Sequence, residues 1–153
     1  MSTPEERLAD AGLKLPPAPD PVALYVPAAV SGGYVYTSGQ LPLQDGVLAI
    51  TGKVGADVSP EEAEEQARQC ALNALAAVRA VVGDLSAVAR VVKVTGFVAG
   101  APGFTGQPAV LNGASELLGI AFGGAGAHVR SAVGVAALPL DAPVEVEITA
   151  ALA

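Results

Sequence analysis

Residues 128–152 read HVRSAVGVAALPLDAPVEVEITAAL, and this stretch decides the fold. From Val144 to Leu152 apolar and polar side chains alternate. Val144, Val146 and Ile148 therefore share one face of a strand, and Glu145 and Glu147 share the other. His128 to Ala137 is a second β-rich run, joined to the first by the turn LPLDAP. Arg130 is the one charge in its run before Asp141. A guanidinium carried into a strand requires an anion, because burying an unpaired charge is costly. Two partners satisfy that need: an internal ion pair to Glu145 or Glu147, or a ligand carboxylate held by the planar Arg fork.

Working back from this stretch, Val88 to Ala99 (VARVVKVTGFVA) reads as a strand with Arg90 and Lys93 near its start, and Pro108 to Phe122 as a helix ended by Gly123-Gly124-Ala125-Gly126. Ser59-Pro60-Glu61-Glu62 is a strong helix start, with Ser59 as cap, Pro60 in the first helical position and Glu62 closing a capping box. That helix is expected to run to Val82. Ala63, Ala67, Cys70, Ala71, Ala74, Val78 and Val81 form its apolar stripe, so Cys70 reads as a small core residue. From Ala23 to Leu41 two β-rich runs flank Ser31-Gly32-Gly33 as a hairpin, with Tyr34, Tyr36 and Ser38 on one face and Val35, Thr37 and Gly39 on the other. Asp45-Gly46 is a turn before a short strand VLAI, and residues 4–13 form a short helix ahead of a proline-rich arm.

The resulting order (hairpin, strand, helix, strand, helix, strand, strand) is α+β. Two helices cover one face of such a sheet and leave the other to subunit packing. Composition agrees: 52% of the residues are apolar, and only 15% are charged against the ~25% of an ordinary soluble domain. Mean hydropathy is +0.50, so a monomer of 153 residues would struggle to hide its apolar surface, and a homo-oligomer is expected.

Charge and residue counts narrow the function. A net charge of −7 with no Lys/Arg cluster opposes nucleic acid and anionic membranes alike. No apolar run is long enough for a bilayer and the acidic start is unlike a signal peptide, so a cytoplasmic protein is expected. One Cys and one His cannot build a structural zinc site, and no metal is expected. A Ser-His-Asp triad is disfavoured because His128 is the only base and no G-x-S-x-G elbow exists. GIAFGGAGAH follows a helix and lacks G-K-[ST], so it terminates that helix and does not cradle phosphate.

Several segments taken together resemble the Rid (YjgF-like, reactive intermediate deaminase) family: YVYTSGQLPL, ARQCALNAL, VVKVTGFV and VRSAVGVAALPLDAPVEVEI. The likeness covers residues 22–153, and residues 1–21 (an N-terminal helix and arm), with TGKVG, NGASELL and HVRSAVGV, match a branch that carries such a helix. The resemblance implies a chorismate-mutase-like fold, a mixed sheet with two helices on one face, assembled as a homotrimer with ligand clefts between subunits. It implies hydrolysis of 2-imino or 2-enamino acids to 2-oxo acids and ammonia, without a cofactor. Arg130 matches the arginine that clamps the substrate carboxylate, and Glu145 the carboxylate that activates water. Tyr25, Ser38, Gly39 and Asn112 match positions lining the cleft, and Ala132 a backbone carbonyl that holds the water. Ala132 stands where the deaminases commonly carry Cys and Gly134 where they carry Glu, so any thiol role is lost. The implied alternative is a non-catalytic trimer binding small carboxylates such as 2-oxo acids. Ribonuclease activity, a label some of the family carries, is opposed by the acidic charge.

Overall fold

The computed structural model describes residues 1–20 and 24–153. The expected start of the hairpin at Ala23 and the boundary between arm and domain at residues 21 and 22 lie outside the described residues. Helix α1 (Pro4–Asp10) opens with a capping box in which Thr3 and Glu6 satisfy each other's backbone amides at 2.8 and 3.1 Å. It is three residues shorter than expected because Ala11 closes the last turn and Gly12 takes φ +76°, a conformation glycine alone adopts freely. Leu8 is buried, and the Glu5 carboxylate accepts the Leu85 amide at 3.1 Å, which ties α1 onto the helical layer.

Five strands form the main sheet: β1 (Ala28–Ser31), β2 (Tyr34–Thr37), β5 (Val88–Ala99), β6 (Val129–Val135) and β7 (Val144–Leu152). Their order is β1-β2-β7-β5-β6, antiparallel except for the β5–β6 pair. The parallel pair needs a crossover, which α3 (Gln107–Phe122) supplies. Strands β3 (Leu43–Gln44) and β4 (Val47–Leu48) form a separate ribbon across the Asp45-Gly46 turn, so only the first half of VLAI is strand.

Helix α2 (Pro60–Val82) starts on the expected Ser59–Glu62 box and stops at Gly83. Its stripe is buried from Ala63 to Val78, but Val81 is 45% exposed, contrary to the expectation, and Val82 packs on the core instead. At 100° per residue, position 82 lies closer than 81 to the direction set by Val78. Both long helices cover one face of the sheet. Val35, Val94, Val98, Val144, Val146 and Ile148 from the strands meet the α2 alanines and Leu111, Leu117 and Leu118 of α3. Small residues allow this approach. A Cβ on Gly113 would run into the Glu64 carbonyl of α2.

The other face carries Lys93, Thr95, Glu145, Glu147 and Thr149, all half-buried, beside Tyr34 and Tyr36, whose exposed rings lie 6.5 Å apart. Among the described residues no helix covers this face.

Candidate functional site

Two clusters hold the residues singled out in the sequence, and they stand on opposite faces of the sheet. The first lies between β6 and α3. The parallel register sets Arg130 beside Val94 and Ala132 beside Gly96, on the face where a Gly96 Cβ would collide with Leu111 of α3. Arg130 therefore turns toward the helix. One of its terminal nitrogens, Nη1, donates to Asn112 Oδ1 at 3.0 Å and to Ser115 Oγ at 3.1 Å, while Nη2 donates to the Pro108 carbonyl at 3.2 Å. All three acceptors are neutral. Of the five guanidinium donors, the Nε–H and one Nη2–H have no protein acceptor among the described residues.

The second cluster lies on the uncovered face. Glu145 pairs with Phe97 and Glu147 with Thr95, one strand beyond β5 from Arg130. An extra residue in the β2 side distorts the ladder here, since Tyr36 faces Thr149 but Gln40 faces Val146. The Ile148 amide donates to Thr37 Oγ1 at 2.9 Å within this distortion. Gly39 is thereby brought against Glu145 and away from the face of Val35 and Thr37 expected from strict alternation. A Cβ on Gly39 would lie 2.7 Å from the Glu145 carboxyl carbon. Ser38 donates both its amide and its hydroxyl to the Pro27 carbonyl, at 2.8 and 3.2 Å, which holds it to the segment bearing the exposed Tyr25.

Arg130 and Glu145 of one chain thus do not meet. β5 separates their strands, which places them about 10 Å apart across the sheet before the offset along it is counted. The expected internal ion pair from Arg130 to Glu145 or Glu147 is absent among the described residues, because the two strands present these residues on opposite sides of the sheet. Burial raises the Glu145 carboxyl above its ordinary pKa, and the Glu147 carboxylate two residues away adds to the rise. Cys70 is buried beneath β7, its Sγ 3.6 Å from the Val144 carbonyl, and burial pushes its thiol well up. It is a core residue, as its stripe predicts.

The sequence profile of the family described as Endoribonuclease L-PSP matches residues 16–152. The chain belongs to this family. It is the YjgF-like, or Rid, family, and the α+β fold is shared with its solved members. A protein of unknown function from Agrobacterium tumefaciens is 46% identical, with a TM-score of 0.92 over 98% of this chain and 92% of its own. A family member from Shewanella oneidensis is 34% identical with a TM-score of 0.95, over 99% of this chain and 100% of its own. Coverage this complete includes the N-terminal helix. Escherichia coli TdcF, solved with bound serine, is 28% identical with a TM-score of 0.63 over 89% of this chain and 94% of its own.

Within this Rid-family chain, sequence reasoning missed two members of the Arg130 cluster. Ser115 Oγ lies 2.9 Å from His128 Nε2, and His128 Nδ1 lies 2.6 Å from the Gly126 carbonyl. The signal was present: His128 precedes Arg130 by two residues, immediately before the strand that carries it, and Ser115 follows Asn112 by one helical turn. Gln107 was also missed. Its amide packs 3.0 Å from where a Gly134 Cβ would sit, filling the space a larger residue there would take.

Proposed function

We propose that this protein hydrolyses small 2-imino or 2-enamino acids to 2-oxo acids and ammonia, in clefts that two copies of the chain complete together. The observation that carries the reading is Arg130, pinned by three neutral acceptors with two of its N–H groups unpaired among the described residues. A cation with unpaired donors suits a carboxylate ligand. Serine bound to TdcF supports a small amino-acid-like ligand.

The two clusters divide the work. Arg130 with Asn112 orients the substrate carboxylate, and Ala132 follows two residues along the same edge strand. Glu145 of a second copy, beside Gly39, Ser38 and Tyr25, takes a proton from water as its oxygen adds to the C=N carbon. It passes that proton to the nitrogen to give a carbinolamine, then carries the carbinolamine's hydroxyl proton to the same nitrogen as the C–N bond breaks, the C=O forms and ammonia leaves. The balance is imine plus water giving ketone plus ammonia, with no redox change and no cofactor. Because Arg130 and Glu145 occupy opposite faces of one chain, a shared substrate requires a neighbour. The uncovered sheet face, the exposed Tyr34, Tyr36 and Val133, and the apolar composition support that assembly, a homotrimer by family resemblance.

Subunit mixing tests this. Chains carrying Arg130→Ala and chains carrying Glu145→Gln, each inactive alone, regain activity when co-refolded, with on the order of a quarter of the clefts intact at random mixing in a closed ring. Activity is followed as 2-oxo acid release from imine generated in situ by an amino-acid oxidase. Mixtures as inactive as their parents would overturn the shared cleft. Full activity of Glu145→Gln alone would remove Glu145 as the base, and 2-oxo acid binding by wild type without any acceleration of release would leave a binding module in place of an enzyme.

A further inference from the structure

The hydrogen bonds around Arg130 continue past the residues that touch it. Arginine only donates, so the Ser115 oxygen must accept from Nη1 at 3.1 Å. The single Ser115 proton is then free to go to His128 Nε2 at 2.9 Å, which must be the unprotonated ring nitrogen. The ring proton accordingly sits on Nδ1, where the Gly126 carbonyl accepts it at 2.6 Å. One arrangement of protons pairs each donor with an acceptor, in a chain running from the Gly126 carbonyl through His128 and Ser115 to the guanidinium.

Resting on the carboxylate-clamp reading of Arg130, we propose that Ser115 and His128 are positioning residues that hold the guanidinium with its unpaired N–H groups turned to the ligand. Asn112 and Pro108 anchor the same guanidinium from α3, one turn and about two turns before Ser115. Ser115 is the contact that ties it to the turn before β6. His128 acts through Ser115 alone, since its other nitrogen is committed to Gly126. Sharing one of its two lone pairs with a cation makes Ser115 a poorer nucleophile in this arrangement.

The charged groups near this chain are few. Arg90 from β5 donates to the Ala127 carbonyl at 3.0 Å, beside His128, and Glu116 from α3 pairs with Arg68 at 3.5 Å. Neither pairs with Arg130.

The test uses the full chain and two readouts. The first needs no ligand: in nitrogen-15 spectra the two Nη signals of Arg130 stay separate while rotation about Cζ–Nε is slowed by its anchors. Ser115→Ala and His128→Leu are expected to speed their exchange about tenfold, as loss of one anchoring bond implies, and Ser115→Thr to restore it. The second is affinity for pyruvate against pyruvamide, which lacks the carboxylate. Both variants are expected to weaken pyruvate about tenfold and leave pyruvamide unchanged. Alanine is a better helix former than serine, so Ser115→Ala keeps α3 intact.

Unchanged Nη exchange in Ser115→Ala and His128→Leu would overturn the positioning role. So would pyruvate affinity within twofold of wild type in both, where Arg130→Ala abolishes it. Pyruvate binding that survives Arg130→Ala sinks the clamp reading itself, and the inference falls with it.

Discussion

Replacing Gly39 with alanine puts a methyl group where Glu145 now stands. The new Cβ would lie 2.7 Å from the carboxyl carbon, 2.8 Å from Oε2 and 3.0 Å from Cγ. Backbone does not resist the change, because Gly39 is not among the residues with positive φ. The colliding atoms are the far end of a half-buried side chain on an uncovered face, so Glu145 can swing aside. Stability should therefore hold within about 1 kcal/mol, with the entropy gain of Gly→Ala offsetting part of the displacement. Catalysis should not hold. Moving a general base by about 1 Å costs on the order of 100-fold, or roughly 2.7 kcal/mol of transition-state stabilisation. The assay is 2-oxo acid release from an imine formed in situ, with thermal melts run in parallel. We expect kcat/KM to fall about 100-fold with Tm nearly unchanged, the fall residing in kcat because Arg130 still binds the carboxylate. A variant with kcat/KM within threefold of wild type refutes the reasoning, since it would show that the position of Glu145 beside Gly39 does not matter to the reaction.

Arg130→Lys keeps the charge but replaces a two-donor edge with a point charge, and should cost about 100-fold or more in kcat/KM on the same assay. Because burial first and Glu147 second raise the Glu145 pKa, the acid limb of kcat/KM should inflect above the ordinary glutamate range, rising as the base deprotonates. Glu147→Gln should move that limb toward lower pH, seen in a pH–rate series. The same shift has a stability consequence of defined sign. The folded chain binds this proton more tightly than the unfolded chain, so stability falls as pH rises from the ordinary glutamate value through the raised one. Urea titrations should show that fall flattened in Glu145→Gln. Gly113→Ala forces a Cβ into the Glu64 carbonyl, where backbone cannot yield as a side chain can, and should destabilise by roughly 1–3 kcal/mol in urea unfolding.

Much of this molecule is legible in its residues. Ser59, Pro60 and Glu62 define the start of α2 because a capping box is local chemistry, needing only four consecutive positions. Val88 to Ala99 and Val144 to Leu152 are strands over the ranges their patterns predict, because burial on one side of a sheet imposes alternation on the sequence itself. Arg130 declares itself as a charge in an otherwise apolar run, and Ser38, Gly39, Asn112, Ala132 and Glu145 are reached through family resemblance.

Tertiary structure alone decided which of these residues share a site. Alternation says which residues within one strand face the same way, but not which face of one strand matches which face of another. That phase is set by strand order and register: β5 lies between β6 and β7, and Arg130 falls in the row of the helix-facing Val94 while Glu145 falls in the row of Phe97 on the uncovered side. The distortion that brings Gly39 to Glu145 depends on a one-residue mismatch between two strands more than 100 positions apart in sequence, and no local pattern encodes it. The sequence by itself determined the elements and the chemistry each carries. Only the packed sheet decided that Arg130 and Glu145 lie on opposite faces, because facing is a property of paired strands and not of either strand alone.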